Sequence, residues 1–158
     1  MRMVVCSSVS VLSVTQLFFS DKCAATNVIL KTLTSPYPSE DPAHPHAIDL
    51  PHTSRMYKTF LQGGHFSHET KSISPSPSFS ASAFASTFLR VVGREMTLQI
   101  AKGNGAFVVA ELCERIRVEG TDDERATLKT WFGEGALKDI EESDAKGKRV
   151  LLEKVSML

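Results

Sequence analysis

The stretch GNGAFVVAELC, residues 103–113, has looser copies at 26–33 (TNVILKTL), 53–61 (TSRMYKTFL) and 147–155 (GKRVLLEKV). Each copy runs from a small or turn-forming residue through two variable positions to an apolar pair, a polar pair and an apolar closer. Three copies superpose without a gap: Val28-Ile29-Leu30-Lys31-Thr32-Leu33, Arg55-Met56-Tyr57-Lys58-Thr59-Phe60 and Phe107-Val108-Val109-Ala110-Glu111-Leu112. The fourth needs a one-residue shift to bring Val155 onto the closer. In a helix the apolar pair and the closer share one face, and the variable positions and first polar position point away from it. One such stretch describes any amphipathic helix. A helix-sized phrase used repeatedly predicts an α-helical repeat array in which each copy has a buried face and a presented face.

The chain has 158 residues and 42% apolar content, enough for a single domain with a real core and well above a disordered composition. Lysine plus arginine (18) equals aspartate plus glutamate (18), so no net field draws the whole chain to nucleic acid or membrane. Any anion binding must come from a local patch. Cys6, Cys23 and Cys113 are odd in number and irregularly spaced, which fits reduced thiols rather than a disulfide framework or zinc ligand pairs. His44, His46, His52, His65 and His68 share one window, yet no Cys pair or H-E-x-x-H frame accompanies them, so no metal and no cofactor is expected. Histidines, cysteines and carboxylates form no nucleophile–base frame either, and the chain reads as a non-enzyme. Residues 1–20 resemble a signal peptide only superficially. Four serines interrupt the apolar stretch, no A-x-A site follows, and it is too short and polar for a membrane span, so a clipped helix of an upstream repeat is the better reading.

All seven prolines fall between Pro36 and Pro77. Residues 34–51 therefore read as an exposed, flexible proline-rich loop, and 65–78 as a second irregular segment with room for a short hairpin. Between them Thr53 or Ser54 can cap a helix through Met56, Tyr57, Phe60 and Leu61, ended by Gly63-Gly64. From Phe79 onward the pattern predicts two groups of three helices. Gly93 and Gly103 stop the first two helices, and Thr121-Asp122-Asp123-Glu124 is a capping box. Gly133 and Gly135 break the chain further on, and Asp144 caps the last helix. Phe84, Phe88, Phe107, Val108, Leu112, Leu128, Trp131, Val150 and Leu151 are the expected core.

Three-helix repeats whose second helix reads G-x-x-V-V-x-x-L resemble Pumilio repeats. The order of FFSDKCAATNVILKTL (18–33), LQGGHF (61–66), GNGAFVVAELC (103–113) and DAKGKRVLLEKV (144–155) resembles the C-terminal, or CPL, region of the nucleolar Pumilio-like proteins of Puf-A type. The likeness covers roughly Val14 to Leu158. It implies an all-α, Pumilio/armadillo-like right-handed α-solenoid, with this chain a C-terminal fragment or shortened gene model of a longer repeat protein. The division is then an unmatched segment 1–13, a partial repeat 14–33, the loop 34–51 and a CPL-type repeat region 52–158.

The resemblance further implies RNA binding without base specificity, in nucleus and nucleolus, on rRNA during large-subunit assembly or on mRNA in translational regulation. Ribosome assembly proteins would be partners, and no membrane is involved. A Pumilio repeat reads one base with two or three side chains of its second helix. The matching positions are Asn27, Val28 and Lys31; Ser54, Arg55 and Lys58; Ala106, Phe107 and Ala110; and Lys148, Arg149 and Leu152. None carries the Gln or Glu that would bond a base edge. The candidate RNA contacts are therefore Lys31, Ser54, Arg55, Lys58, Lys148 and Arg149, whose cations suit phosphates. Two alternatives stay open: these cations form an ordinary solvated face, or the repeats close a solenoid and present a surface to proteins, with Phe107 and its alanines packed on a neighbour.

Overall fold

The computed structural model describes residues 24–75 and 79–158, so the expected segment 1–13 and the first half of the partial repeat 14–33 lie outside the described residues. Helix α1 (Ala24–Lys31) runs into a 3-10 turn (Thr32–Thr34), and a second 3-10 turn (Ala47–Asp49) leads into α2 (Pro51–Gln62). An antiparallel hairpin follows, β1 (Gly64–Ser67) paired with β2 (Ser72–Pro75). The remainder is helical: α3 (Ala81–Ala101), α4 (Ala106–Glu119), α5 (Asp122–Trp131), α6 (Glu134–Glu142) and α7 (Lys148–Ser156). The described chain is thus predominantly α-helical, as the repeated phrase requires.

The helix ends follow local chemistry, with three departures from expectation. Gly63 adopts φ 77° and closes α2, and Gly93, at φ 76° and ψ 176°, breaks α3 into two helical runs. Both are conformations glycine reaches at little steric cost. Thr121 and Glu124 form the reciprocal capping box of α5. Helix α2, however, starts earlier than expected, at Pro51, because a proline at the first helical position presets φ and lacks the donor that would go unpaired there. Neither Thr53 nor Ser54 caps it. Gly147 rather than Asp144 precedes α7, without a side-chain cap, and Gly135 lies inside α6 instead of breaking the chain.

The apolar face of every helix feeds one core. Leu30, Leu33, Tyr57, Phe60, Phe84, Phe88, Val108, Val109, Leu112, Leu128 and Leu151 are buried in it. Three expected members differ. Trp131 is half-buried, while Phe107 is 42% and Val150 39% exposed. Phe107 occupies the second variable position of its phrase, and register outweighs hydrophobicity there. Val150 lies on α7, which packs chiefly on α4 and α6 and leaves its other side to solvent.

Helix α4 is central, packing on α2, α3 and α7. Tyr57 ties α2 to α1 by donating to Ile29 O at 3.1 Å and by a short bond with Thr32 Oγ1. The four phrase helices α1, α2, α4 and α7 therefore touch in chain order. Cations seal helix ends: Arg115 donates to Leu61 O and Gln62 O at 2.8 Å each, satisfying the last carbonyls of α2. Arg125 does the same for Arg117 O at 3.2 Å.

The proline-rich loop is no free loop. Residues 35–50 form a strap pressed on the α3–α4 connection, with His46 and Ile48 buried. The Tyr37 hydroxyl accepts from Asn104 N–H at 3.3 Å, and Asn104 Nδ2 donates to Asp49 Oδ1 at 2.7 Å. Between strap, α1 and α2 lies an open cavity of about 550 Å³.

Candidate nucleic-acid interface

Superposing the four phrase helices sorts burial by position. Leu30, Tyr57, Val109 and Leu151, the second residue of each apolar pair, are all buried. At the second variable position Val28 is 65% exposed, and Arg55, Phe107 and Arg149 are exposed as well. Two of these four are arginines.

The candidate residues meet different surroundings. Lys31 lies exposed at the end of α1, and among the described residues Lys31, Arg55 and Arg149 make no ion pair or side-chain hydrogen bond. Lys58 is half-buried, its Nζ 3.9 Å from Glu111 Oε1 and 5.8 Å above the centre of the Phe107 ring. A cation over an aromatic face is favourable, and here it links α2 to α4. A Cβ on Gly147 would come within 3.0 Å of that same ring, so Lys58, Phe107 and the start of α7 fall in one line. Ser54 is half-buried in the first turn of α2, its N–H given to Leu50 O at 2.9 Å. Lys148 has another task, its ammonium donating to Glu141 O at 2.9 Å and Ser143 O at 2.6 Å. There it neutralises the negative end of α6.

The other reading positions are spent inside the fold. Asn27 Oδ1 accepts from Arg90 at 3.3 Å, Ala106 and Ala110 are buried, and Leu152 is half-buried. Glu111, which the repeat pattern did not single out, also accepts from Gln62 Nε2 at 3.0 Å. It partly offsets Lys58, and no local spacing announces a partner so distant in the chain.

Behind this face, Glu114 accepts the fork of Arg117 at 3.0 and 2.8 Å and lies 3.4 Å from Lys154. The Arg117 hydrogen bonds, aided by Lys154, bring its carboxyl down to about 2. This joins α4 to α7. Burial pushes the Cys113 thiol up to about 12, which makes it a packing group and not a nucleophile. Among the described residues no three His, Cys, Asp or Glu side chains gather as metal ligands, and no helix is long and apolar enough to cross a membrane.

The face can therefore offer unpaired guanidinium and ammonium groups to anions, beside a half-exposed aromatic ring. It has no Gln or Glu at the fifth reading position, where Lys31, Lys58, Ala110 and Leu152 stand. Compared with models of known protein families, with curated proteins and with solved structures, the chain matches none.

Proposed function

We propose that this chain is a helical-repeat module, of Pumilio/armadillo-like right-handed solenoid type, that holds RNA by its phosphates without reading bases. One observation carries the reading: the second variable position is solvent-facing in all four phrase helices, and Arg55 and Arg149 there, with Lys31 nearby in register, have no partner among the described residues. Several cations elsewhere are committed to Glu114, Glu119, Asp122, Asp139 and helix-end carbonyls, and Lys71, Arg94, Lys129 and Lys146, also without a partner among the described residues, lie outside the four phrase helices. Free cations at a repeated position suit a repeated anion, and RNA supplies one per nucleotide. Lys58, balanced between Glu111 and Phe107, contributes less than Arg55. The resemblance of the motifs to the nucleolar Pumilio-like C-terminal region supports rRNA in large-subunit assembly, or mRNA in translational regulation, as the ligand.

The test is a titration of labelled RNAs of unrelated sequence at two salt concentrations, comparing wild type with a triple variant Arg55→Ala, Lys58→Ala, Arg149→Ala. The variant should lose affinity by similar factors on every RNA, and its log-affinity against log-salt slope should flatten by about 0.7–0.9 per lost contact. An unchanged melting temperature excludes unfolding as the cause. Identical binding by wild type and variant removes these residues from the interface.

A second reading has its own observation. Val28 and Phe107, apolar and exposed, share the register position with the arginines, and such a mixed apolar and cationic face also fits a protein surface. Wild type that ignores RNA at low salt selects this protein-interaction module.

A further inference from the structure

Three of the chain's seven prolines follow serine, at Ser35-Pro36, Ser74-Pro75 and Ser76-Pro77. Proline fixes its own φ, has no N–H to offer, and holds the residue before it in extended backbone. A serine so placed is preset for an enzyme cleft that takes its substrate extended and has no acceptor for a donor just past the reacting hydroxyl. Ser76 lies outside the described residues, and the fold treats the other two serines differently. Ser35 is exposed, at φ −63° and ψ 151°, but the chain is tied down two residues away on either side. Leu33 is fully buried, and the Tyr37 hydroxyl is bonded to Asp49 and Asn104. Both anchors would have to leave the fold before a cleft could close on Ser35.

Ser74 meets no such anchor. It stands in β2, whose four residues Ser72–Pro75 are all exposed, and Lys71 before them is exposed too. Among the described residues β2 pairs only with β1, so its outer edge keeps free backbone groups for an extended partner. Pro75 lines an open cavity with Gln62, Gly63 and Arg115. Side chains alternate along a strand, so Ser74 turns to the opposite face of the ribbon from that cavity. Its hydroxyl has no hydrogen-bond partner among the described residues. A two-stranded ribbon of this size also opens locally at little cost.

We propose that Ser74 is a phosphorylation site for a protein kinase that selects proline at the following position, with a nucleoside triphosphate as the donor. In the transfer, Ser74 Oγ forms a bond to the γ-phosphorus while the bond from that phosphorus to the β,γ-bridging oxygen breaks. The nucleoside diphosphate leaves with the electron pair, and the hydroxyl proton passes to a carboxylate of the kinase. The product carries about −1.5 to −2 charges at neutral pH, enough to tip a chain whose 18 basic and 18 acidic side chains balance. On exposed β2 the larger, charged group displaces nothing from the core.

The test incubates the full chain with magnesium ATP and a purified proline-directed kinase, and maps phosphate over time by tandem mass spectrometry. Phosphate should appear first on Ser74, with Ser35 slower by about tenfold or more. Ser74→Ala should remove that early phosphate, and Ser76→Ala should keep it. Pro75→Ala presents the cleft with an N–H that it leaves unpaired, and should slow modification of Ser74 by about tenfold or more. Phosphate that reaches Ser35 as fast as Ser74, or early phosphate confined to Ser76, overturns the assignment. So does a Ser74 left unmodified when the kinase has consumed a control Ser-Pro peptide in the same tube, or a Pro75→Ala chain modified at the wild-type rate.

Discussion

The strap 35–50 and the hairpin 64–75 are alike in composition, both short of large apolar residues and both carrying proline, yet they are held by different means. The strap makes almost no regular structure of its own, but Tyr37 and Ile48 reach the α3–α4 connection and are fixed there, with His46 buried against the Tyr37 ring. The hairpin satisfies its own backbone in a four-pair ladder, and all four residues of β2 remain exposed. Side-chain burial against the helical frame, rather than local secondary structure, ties the strap to the core. A two-stranded ribbon alone is marginal in water, whereas a docked irregular segment shares the stability of what it touches.

The largest expected difference is between two isoleucines. Ile48→Ala removes a side chain with 1% exposure and should cost about 2–5 kcal/mol in a urea melt. Ile73→Ala, at a site 39% exposed on the hairpin, should cost roughly 0.5 kcal/mol or less. Equal losses would erase the distinction between the regions.

Next in size is Gly105→Ala, whose Cβ would meet Ile100 Cγ2 at 2.0 Å and Ile48 Cγ1 at 2.7 Å. The overpacking should lower stability by about 1–3 kcal/mol and shift the Ile48 resonances while leaving those of the hairpin alone. Limited proteolysis with a glutamate-specific protease should then lose its order: wild type is cut at Glu69 in the hairpin tip before Glu40 in the strap, and the variant is cut at both alike.

The smallest effect lies at the α4–α7 seam, which neither region touches. Glu114 has its carboxyl depressed to about 2 by Arg117 and Lys154, so it stabilises the fold above the unfolded carboxylate range near 4.5 and loses that contribution as pH falls towards 2. Glu114→Gln should cost about 1 kcal/mol at neutral pH. The difference between variant and wild type should vanish near pH 2, as read from denaturation midpoints across pH.

Much of the helical frame is legible in the sequence, because helix signals are local. The phrase places Leu30, Tyr57, Val109 and Leu151 inward, Gly63 and Gly93 stop their helices, and Thr121 with Glu124 starts one. Phe107 was readable too, since its register partner Arg55 points outward, and ranking it by hydrophobicity was the error. The strap was not readable: the Tyr37 hydroxyl finds its partner 67 residues away, and no periodicity reports such a bond. The same holds for the face. Arg55 and Arg149 follow from register, while the diversion of Lys148 to the carbonyls of α6 depends on where the preceding helix happens to end.

Lysine footprinting tests the central claim most directly, since it reads the proposed face and the remaining surface in one experiment. The full chain is acetylated briefly with and without saturating RNA, and each lysine is quantified by mass spectrometry. RNA held across the phrase helices should protect Lys31 and Lys58 strongly, while Lys71 at the hairpin turn and Lys129 on α5 react as before. Protection of Lys71 and Lys129 in their place, or no protection at an RNA concentration that saturates binding, would contradict the account.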